Sequence, residues 1–371
     1  MRKYFLASLL FLLMILALVT LKSIVPNLLN VQLIAYLIGF LLFFLLSRIS
    51  FAYWWRLSPY LYWGLNLVLL TLLIWGQATR GIVAWIELPF GLRFQPSQLA
   101  VPITALFLSA SFKNQTQKSI SKILTWPQLM KILGIILLPG ILINLQPDFG
   151  TAMVYFAALL VFLFFNRLGW QRIVGFISLT VLTAIFAWFF ILVDYQKSRF
   201  NSFLFFISPE RSLSSDFRQE SSAAYNARQS VIAIGAGQLW GQGVGQGTQS
   251  HLKFLPERQT DFIFASFVEE WGFFGSLLIL SLYFSLLAFI LYLVYFEENR
   301  GKQLYALSIF TMFLVQTFIN IGMNLALLPI TGITLPFLSY GGSSVLSLFF
   351  SLALLQSIIL EGEKAPSSIF Q

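Results

Sequence analysis

Long apolar runs separated by short polar segments recur along nearly the whole chain. Each run is about 17 to 25 residues long, which suits a bilayer-spanning helix, and the alternating pattern of barrel strands is missing. The candidate spans are residues 4–25, 31–47, 57–76, 95–112, 129–145, 149–166, 171–193, 262–296, 303–327 and 338–360. The pattern therefore predicts an all-α integral membrane protein, a bundle of ten transmembrane helices forming a single polytopic membrane domain over residues 1–371.

The first run follows Arg2 and Lys3, as in a signal peptide. Its apolar stretch from Tyr4 to Leu21 exceeds the roughly 7 to 15 residues of a signal h-region, and it shows no small-x-small cleavage site. We expect this run to be retained as the first span.

Composition supports a membrane protein. Of the 371 residues 58% are hydrophobic, and the mean hydropathy is +0.82. A soluble domain of this length could not bury so much apolar surface. The chain has no cysteine, so disulfides, thiolate metal sites and a cysteine nucleophile are excluded.

The net charge of +9 indicates orientation rather than nucleic-acid binding, because the basic residues lie in short loops between spans. Only Lys22, Arg80 and Arg93 fall in short loops on one side of the predicted topology. The basic residues on the other side are Arg2, Lys3, Arg48, Arg56, Lys113, Lys118, Lys122, Lys131, Arg167, Arg172, Arg300, Lys302 and Lys364. This bias predicts cytoplasmic N- and C-termini.

Residues 194–261 then form a large extracytoplasmic loop between the seventh and eighth spans. Its Ser-rich first half, residues 194–224, suits either a lid or partner contact or a flexible connection. Residues 225–235 predict a short helix. The repeated glycines from Gly241 to Gly247 match neither nucleotide-binding pattern, and they predict instead a backbone that turns tightly or approaches a ligand closely.

Polar side chains cluster where this loop meets the eighth span. His251 is the only histidine, so we do not expect a histidine metal site. We expect His251 to have a role on the loop surface. Glu257 and Arg258 are expected to fix the loop. Asp261 precedes the apolar helix and has two interpretations, a helix N-cap or a carboxylate at a water-facing cavity that acts as a general base or binds a cation.

Six polar residues within or beside the apolar spans also carry chemistry. Glu269 and Glu270 lie about 12 Å along the helix from Asp261 at 1.5 Å per residue, and are either functional or buried hydrogen-bonded anchors. Asp148, at the outer end of the sixth span, needs a partner or water. A stripe on the ninth span, Gln316, Asn320 and Asn324, either lines a cavity or hydrogen-bonds to other helices.

Irregular backbone is predicted in three outer segments. Residues 81–100 suit an ordered loop at the membrane interface, residues 146–151 suit a sharp turn, and residues 328–344 carry prolines and glycines into the tenth span. Irregular backbone at membrane depth is tolerated only where protein or water covers it. We therefore expect an outward cavity beside these segments.

Six motifs resemble, in order along the chain, those of the SEDS family of cell-wall polymerases, and its RodA-type branch more than its FtsW-type branch. They are QPS at 95–97, QPDFGTA at 146–152, Tyr225 with QSVIAIG at 229–235, GQGTQS at 245–250, LPERQTDFIFA at 255–265 with Glu269 and Glu270, and LPFLSYGGSS at 335–344. The expected topology agrees with this family.

The resemblance implies a peptidoglycan glycosyltransferase that polymerises lipid II at the outer face of a bacterial plasma membrane. It serves cell elongation and shape and works with a class B penicillin-binding protein. Asp261 occupies the family's essential aspartate and is the expected catalytic general base. The implied substrate-binding residues are Lys253, Glu257, Arg258, Gln146, Asp148, Ser343 and Ser344. The implied structural or cavity-lining residues are Glu269, Glu270, Gln316, Asn320, Asn324 and Trp85.

The leaving undecaprenyl pyrophosphate gains negative charge, which Arg258, Lys253 or a divalent metal would stabilise. No organic cofactor is expected, and a metal would be Mg²⁺ or Mn²⁺ held by oxygen. Three positions depart from the family: Ala84, Gln98 and Val101 stand where many members carry charges. Joint loss of a buried pair can be nearly neutral. A lipid-linked-sugar flippase and a non-catalytic scaffold for the transpeptidase are the alternatives.

Overall fold

The computed structural model describes residues 2–76, 84–87, 93–116, 125–165 and 222–364, with Gly175, Ser178 and Lys197 described singly. It is predominantly helical. The helices are α1 (Arg2–Ile24), α2 (Leu29–Leu46), α3 (Phe51–Trp75), α4 (Ala100–Ala110), α5 (Trp126–Leu145), α6 (Phe149–Phe164), α7 (Ser222–Gly237), α8 (Thr248–His251), α9 (Ile263–Phe296), α10 (Arg300–Asn324) and α11 (Gly342–Lys364). Two strands, β1 (Ile86–Glu87) and β2 (Arg93–Phe94), pair antiparallel.

Nine of the predicted spans correspond to helices in the described residues. Seven of the described helices are long and apolar enough to cross a membrane: α1, α2, α3, α5, α9, α10 and α11. Helices α4 and α6 are apolar but shorter. The predicted span 171–193 lies outside the described residues, apart from two single positions. A multi-pass, all-α membrane fold is confirmed, whereas the count of ten stays a prediction.

Local signals set several helix ends. The Ser50 side chain accepts from the Tyr53 amide and starts α3, six residues before the predicted span, because the pattern read Arg56 as loop. Thr125 and Gln128 form a capping box at α5, and Asn299 caps α10 through the Lys302 amide. Each cap satisfies backbone amides that the first turn leaves without partners.

The bundle is built around α10 and α11, which are the most enclosed long helices. Within their spans 61% of α10 and 78% of α11 is buried, which leaves little of either helix for lipid. α11 packs along α2, and α10 packs against α4, α6 and α9. At Gly39 on α2 an added Cβ would lie 2.1 Å from the Phe349 ring of α11, so a glycine there permits the close approach.

The longest helix, α9, is two helical segments joined at Gly272. This residue adopts φ 67° and ψ −162°, a region that essentially only glycine occupies. The predicted eighth span was too long for a straight crossing, and the bend explains its length. The segment before the bend is enclosed by protein, whereas Phe273, Phe274 and Leu277 just after it are exposed.

The described residues of the loop between α3 and α4 include two short antiparallel strands. Ile86 pairs with Phe94 and Glu87 with Arg93, and the Arg93 guanidinium lies 3.5 Å from the Glu87 carboxylate. The prediction of an ordered loop within residues 81–100 is confirmed for these described residues. The large loop 194–261 is described, apart from Lys197, only from residue 222 onward. There α7 confirms the short helix expected over residues 225–235.

Candidate active site

Asp261 lies in the turn immediately before α9 and is partly exposed. The N-cap position of α9 is Phe262, which has no side-chain cap hydrogen bond. The interpretation of Asp261 as the N-cap is therefore wrong. The Glu257 carbonyl accepts from the amides of Thr260, Asp261 and Phe262, which holds the turn compact and leaves Asp261 at the mouth of the enclosed segment.

Two asparagines of α10 hold the backbone of Asp261. The Asn320 amide donates to the Asp261 carbonyl at 3.0 Å and to the Ile333 carbonyl at 2.7 Å. The Asn324 side-chain NH₂ donates to the same Asp261 carbonyl at 2.9 Å. The Asn324 side-chain oxygen accepts from the Ala265 amide at 2.9 Å. Both side chains are fully buried. Hydrogen bonding to neighbouring segments is therefore confirmed as a role of this stripe.

The loop before α11 binds the two residues that precede Asp261. The Ser339 hydroxyl donates to the Thr260 carbonyl at 2.6 Å and accepts from the Leu335 amide at 2.8 Å. The Tyr340 amide donates to the Gln259 carbonyl at 2.8 Å. Three consecutive carbonyls, 259 to 261, are thus held from α10 and from this loop. The irregular segment predicted over residues 328–344 is tied directly to the candidate site.

Glu269 is a buried anchor for α8. Its carboxylate accepts from the amides of Gln249 at 2.7 Å and Ser250 at 3.0 Å. It also accepts from the hydroxyls of Ser250 at 2.5 Å and Thr248 at 3.4 Å. A carboxylate at a helix N-terminus satisfies amides and is favoured by the helix dipole. The geometry supports the anchor interpretation of Glu269.

Glu270 joins three parts of the chain. Its Oε1 accepts from the Gly245 amide at 3.2 Å, lies 3.1 Å from His251 Nε2, and accepts a hydrogen bond from the Ser23 hydroxyl of α1. Its other oxygen is buried and has no hydrogen-bond partner in the described part of the chain. His251 keeps 29% of its side chain exposed and also contacts this buried carboxylate, so it links the loop to α9, and its predicted role on the loop surface stays a prediction.

The glycine-rich turn fits against the bend of α9. Gly241, Gly243 and Gly245 all have positive φ, which confirms the predicted tight turns. The Gly243 amide donates to the Glu270 carbonyl at 3.0 Å, and a Cβ at Gly241 would lie 2.1 Å from that same carbonyl. In return, the Phe273 amide donates to the Gln238 carbonyl at 2.8 Å. The turn therefore supplies partners for backbone groups that the bend removes from the helical ladder.

The cations of the loop are placed differently from one another. Lys253 is exposed, with φ 64°, and Glu257 has φ 48°. The Glu257 carboxylate accepts from the Thr260 hydroxyl at 3.2 Å, so Glu257 fixes the loop as predicted. Arg258 is partly buried. Among the residues that the structure describes, it forms no ion pair and its Nε has no hydrogen-bond partner. Burial lowers the pKa of the Arg258 guanidinium, but an arginine stays charged.

Asp148 has the partners that its position required. It caps α6 through the Thr151 amide at 3.1 Å and accepts from Gln95 Nε2 at 2.6 Å. The Ser97 hydroxyl lies 3.5 Å from the same carboxylate. Burial raises the pKa of Asp148 above its usual value, and these hydrogen bonds offset only part of that shift. Gln146 is fully buried and donates to the Leu69 carbonyl at 3.0 Å, so a substrate-binding role for Gln146 gains no support from its geometry.

Two of the irregular segments predicted from the sequence, residues 146–151 and 328–344, meet next to the α9 turn. A Cβ at Gly150 would lie 2.9 Å from the Thr331 carbonyl oxygen. Two residues further along the same segment, the Ile333 carbonyl accepts from the Asn320 side-chain amide. The start of α6 is therefore linked to Asp261 through residues 331–333. Sequence reasoning missed the contributions of Ser339 and Gly272. The sequence signal for Ser339 was the SYGG run at residues 339–342, and the signal for Gly272 was a glycine directly after Glu269-Glu270-Trp271.

The remaining predicted residues surround this arrangement. Ser343 is buried, and the Ser344 hydroxyl lies 3.4 Å from that of Thr334. Gln316 is buried one helical turn before Asn320, and Trp85 is partly buried. These placements are compatible with lining roles, which stay predictions.

The three departures from the family pattern occupy buried or partly buried positions. Ala84 and Val101 are buried. The Gln98 side chain donates to Gln95 Oε1 at 3.1 Å, and Gln95 in turn holds Asp148. Neutral side chains therefore fill these positions without a stranded charge among them.

Among the described residues no three His, Cys, Asp or Glu side chains lie together as a metal site would require. These residues therefore do not fit a metal held by protein carboxylates alone. Involvement of Mg²⁺ or Mn²⁺ stays a prediction.

Comparison with known proteins identifies close similarity over most of the chain. A sequence model described as "Cell cycle protein" and covering FtsW, RodA and SpoVE matches residues 2–364. The peptidoglycan glycosyltransferase MrdB of Escherichia coli K12 is 35% identical over 308 residues, covering 81% of this chain and 77% of MrdB. MrdB of Helicobacter pylori J99 is 35% identical over 331 residues, covering 87% and 81%.

Solved structures share the fold. One, described as "Structural coordination of polymerization and crosslinking by a peptidoglycan synthase complex", has a TM-score of 0.78 and 28% identity, covering 96% of this chain and 97% of that one. The crystal structure of the rod shape determining protein RodA of Thermus thermophilus has a TM-score of 0.69 and 26% identity. It covers 96% of each chain.

Proposed function

We infer that this chain, which belongs to the FtsW/RodA/SpoVE family of cell cycle proteins, is a RodA-type peptidoglycan glycosyltransferase with a role in cell shape. The similarity to MrdB of two bacteria across four fifths of the chain supports the activity. The single structural observation that carries the site assignment is the fixed backbone of Asp261. Three consecutive carbonyls are held by buried side chains and by a loop amide at the mouth of α9.

The substrate is lipid II, and the reaction extends a glycan strand. An acceptor sugar hydroxyl attacks the anomeric carbon of a donor linked to undecaprenyl pyrophosphate. The new bond joins this oxygen to the anomeric carbon, and the bond from that carbon to the pyrophosphate oxygen breaks. The Asp261 carboxylate takes the hydroxyl proton as general base. A carboxylate whose backbone is fixed costs little reorganisation at the moment of transfer.

Arg258 stabilises the charge that develops on the leaving pyrophosphate. It lies three residues before Asp261, is charged, and has no ion-pair partner among the described residues. A planar guanidinium suits phosphate oxygens, and partial burial strengthens the attraction relative to water. Lys253 is exposed and acts as an additional cation for the approaching lipid-linked donor.

The catalytic side faces outward, with both termini in the cytoplasm. The distribution of Lys and Arg between the predicted loops supports this orientation. The partner is a class B penicillin-binding protein, which crosslinks the strands as they form. The structural likeness to a peptidoglycan synthase complex that couples polymerisation and crosslinking supports such a partner.

Labelled lipid II separates this function from the alternatives. The purified chain, supplied with its transpeptidase, should convert lipid II into glycan strands that a gel resolves by length. In parallel, proteoliposomes carrying lipid II in one leaflet report translocation. Polymer formation supports the proposal. Translocation without polymer, or no product from the chain under varied partners and divalent metals, would replace it with a flippase or a scaffold respectively.

A further inference from the structure

The segment 237–254, which we call the glycine lobe, presents a set of apolar side chains to its surroundings. Trp240 is 79% exposed and Leu252 is 64% exposed. The exposed apolar residues of the lobe are Leu239, Trp240, Val244, Leu252 and Phe254. An apolar surface of this kind on the extramembrane part of a protein indicates contact with a partner or a membrane.

The first end of the lobe lies at the level where α9 meets lipid. The segment of α9 before Gly272 is enclosed by protein, and its first exposed apolar residues are Phe273 and Phe274. The Leu239 carbonyl accepts from the Phe274 amide at 3.3 Å, and the rings of Trp240 and Phe274 lie 4.7 Å apart. The apolar surface of the lobe is therefore continuous with the lipid-facing surface of a span.

The other end of the lobe lies at the same level, by independent contacts. His251 Nε2 is 3.4 Å from the Ser23 hydroxyl, and Ser23 is the last residue but one of α1. α1 belongs to the helices long enough to cross the membrane. The end of α1 and the bend of α9 therefore lie at the same level, which marks the membrane boundary. The glycine lobe lies along this boundary.

The polar backbone of the lobe is turned towards the protein. The amides of Gln242 and Gly243 donate to α9 carbonyls, and the Gly245 amide donates to the Glu270 carboxylate. Irregular backbone exposed to hydrocarbon is strongly disfavoured. Because these amides have protein partners, the outward surface can enter the interfacial region on its side chains alone.

We propose that the glycine lobe is seated in the phospholipid leaflet at its headgroup and acyl boundary, with its exposed apolar side chains inserted. Tryptophan is favoured at this depth. Lys253 stands between exposed Leu252 and Phe254, and Lys22 is exposed at the end of α1. Long basic side chains at such positions extend their ammonium groups to lipid phosphates. The leaflet is the occupant, and the proposal holds for either orientation of the chain.

Seating the lobe in lipid fixes the depth of the candidate site. Leu255, the residue after the lobe, is fully buried, and Asp261 follows six residues later in a turn held by α10. Asp261 is therefore kept close to the depth of lipid phosphates, where a lipid-linked pyrophosphate lies. The lobe acts as a depth reference for the substrate.

The absence of cysteine from the chain allows a clean test. Trp240→Cys and Leu252→Cys, each labelled with a small fluorophore, are reconstituted as the full chain in phosphatidylcholine and phosphatidylglycerol vesicles. Nitroxide-labelled phospholipid in both leaflets is the lipid-phase quencher, and iodide, supplied on both faces of the vesicles, is the aqueous quencher. Phe284→Cys, 74% exposed in the middle of α9, is the lipid control. Asn114→Cys, exposed in a loop between spans, is the aqueous control.

We expect nitroxide lipid to quench the labels at 240 and 252 about as strongly as the label at 284. Iodide quenching at both should be roughly threefold or more below that at 114, as burial at the interface requires. Iodide quenching equal to that at 114 would overturn the proposal in favour of a solvated lobe. Protection from both quenchers would overturn it in favour of a cover by a second copy of the chain. Neither result depends on glycosyltransferase activity, so the proposed function is tested separately.

Discussion

The side-chain amide of Asn324 bridges the start of α9: it donates to the Asp261 carbonyl at 2.9 Å, and its oxygen accepts from the Ala265 amide at 2.9 Å. One buried residue of α10 therefore sets both where α9 begins and where the Asp261 backbone lies. Function at Asp261 depends on this contact as much as on the carboxylate itself.

Replacing Asn324 by leucine should disturb catalysis through Asp261. The Asn324→Leu change keeps the branched shape and the number of side-chain heavy atoms but removes the acceptor of the buried Ala265 amide, which costs about 1–3 kcal/mol of stability. We expect the polymerisation kcat of the folded variant to fall more than its KM rises, because the base is displaced rather than the substrate lost. Steady-state lipid II polymerisation, normalised to folded protein, measures both.

The matched control is Asn66→Leu. Asn66 is also a buried asparagine, and its amide donates to the Tyr62 carbonyl of its own helix at 2.8 Å. This change should leave the kcat per folded molecule near that of the wild type. An equal loss of kcat in both variants would show that Asn324 matters only for general stability.

Gly272→Ala should be strongly destabilising. Alanine disfavours φ 67° with ψ −162° by about 1–3 kcal/mol, and its Cβ would lie 2.2 Å from the Gly241 amide nitrogen and 2.7 Å from the Leu239 carbonyl. Thermal unfolding in detergent should show a clearly lower Tm. Gly134→Ala on α5, where a Cβ would meet nothing within 4 Å, should instead keep or raise the Tm. Equal effects of the two changes would contradict the assigned bend.

Glu269→Gln tests the anchor role of the buried carboxylate. Glutamine retains one acceptor oxygen and brings an NH₂ group against the donors of Gln249 and Ser250, so roughly 1–3 kcal/mol of stability should be lost. Hydrogen exchange of the α8 amides should speed up in this variant. Glu363→Gln, at an exposed position of α11, is the control and should change neither. Unaltered exchange in α8 would remove the anchor role.

Arg258→Gln should weaken catalysis without unfolding the protein. The guanidinium forms no ion pair with any described residue, so its removal leaves no stranded carboxylate among them. Loss of one charge at a developing pyrophosphate costs roughly 2–4 kcal/mol of transition-state stabilisation, or about 30- to 1,000-fold in rate. Arg93→Gln, which removes an exposed ion pair with Glu87, should stay within about twofold. A full rate for Arg258→Gln would assign the pyrophosphate to another cation.

Sequence patterns were sufficient for the parts of the structure that depend on local periodicity or composition. The spans follow from apolar runs, and the turns at Gly241 and Gly243 follow from glycine's access to positive φ. The need of Asp148 for a partner follows from the cost of burying a carboxylate. None of these inferences requires knowledge of which distant segments meet.

The rest depends on tertiary pairings that no local pattern carries. Glu269 is satisfied by amides about twenty residues earlier, and Glu270 by Ser23 at the far end of the chain. The bend at Gly272 is stabilised by the glycine lobe, so it is invisible in the helical periodicity of α9. Ser339 appeared to belong only to its own loop, because its bond to the Thr260 carbonyl spans 79 positions.

The central claim is that Asp261 is the general base of lipid II polymerisation. The most direct test compares the initial rate of glycan strand formation by wild type, Asp261→Asn and the control Glu87→Gln, each with the same transpeptidase and with equal Tm. General bases contribute about 10²- to 10⁴-fold, so Asp261→Asn should lose at least about a hundredfold while Glu87→Gln keeps the wild-type rate. A rate for Asp261→Asn within a few-fold of wild type would contradict the assignment.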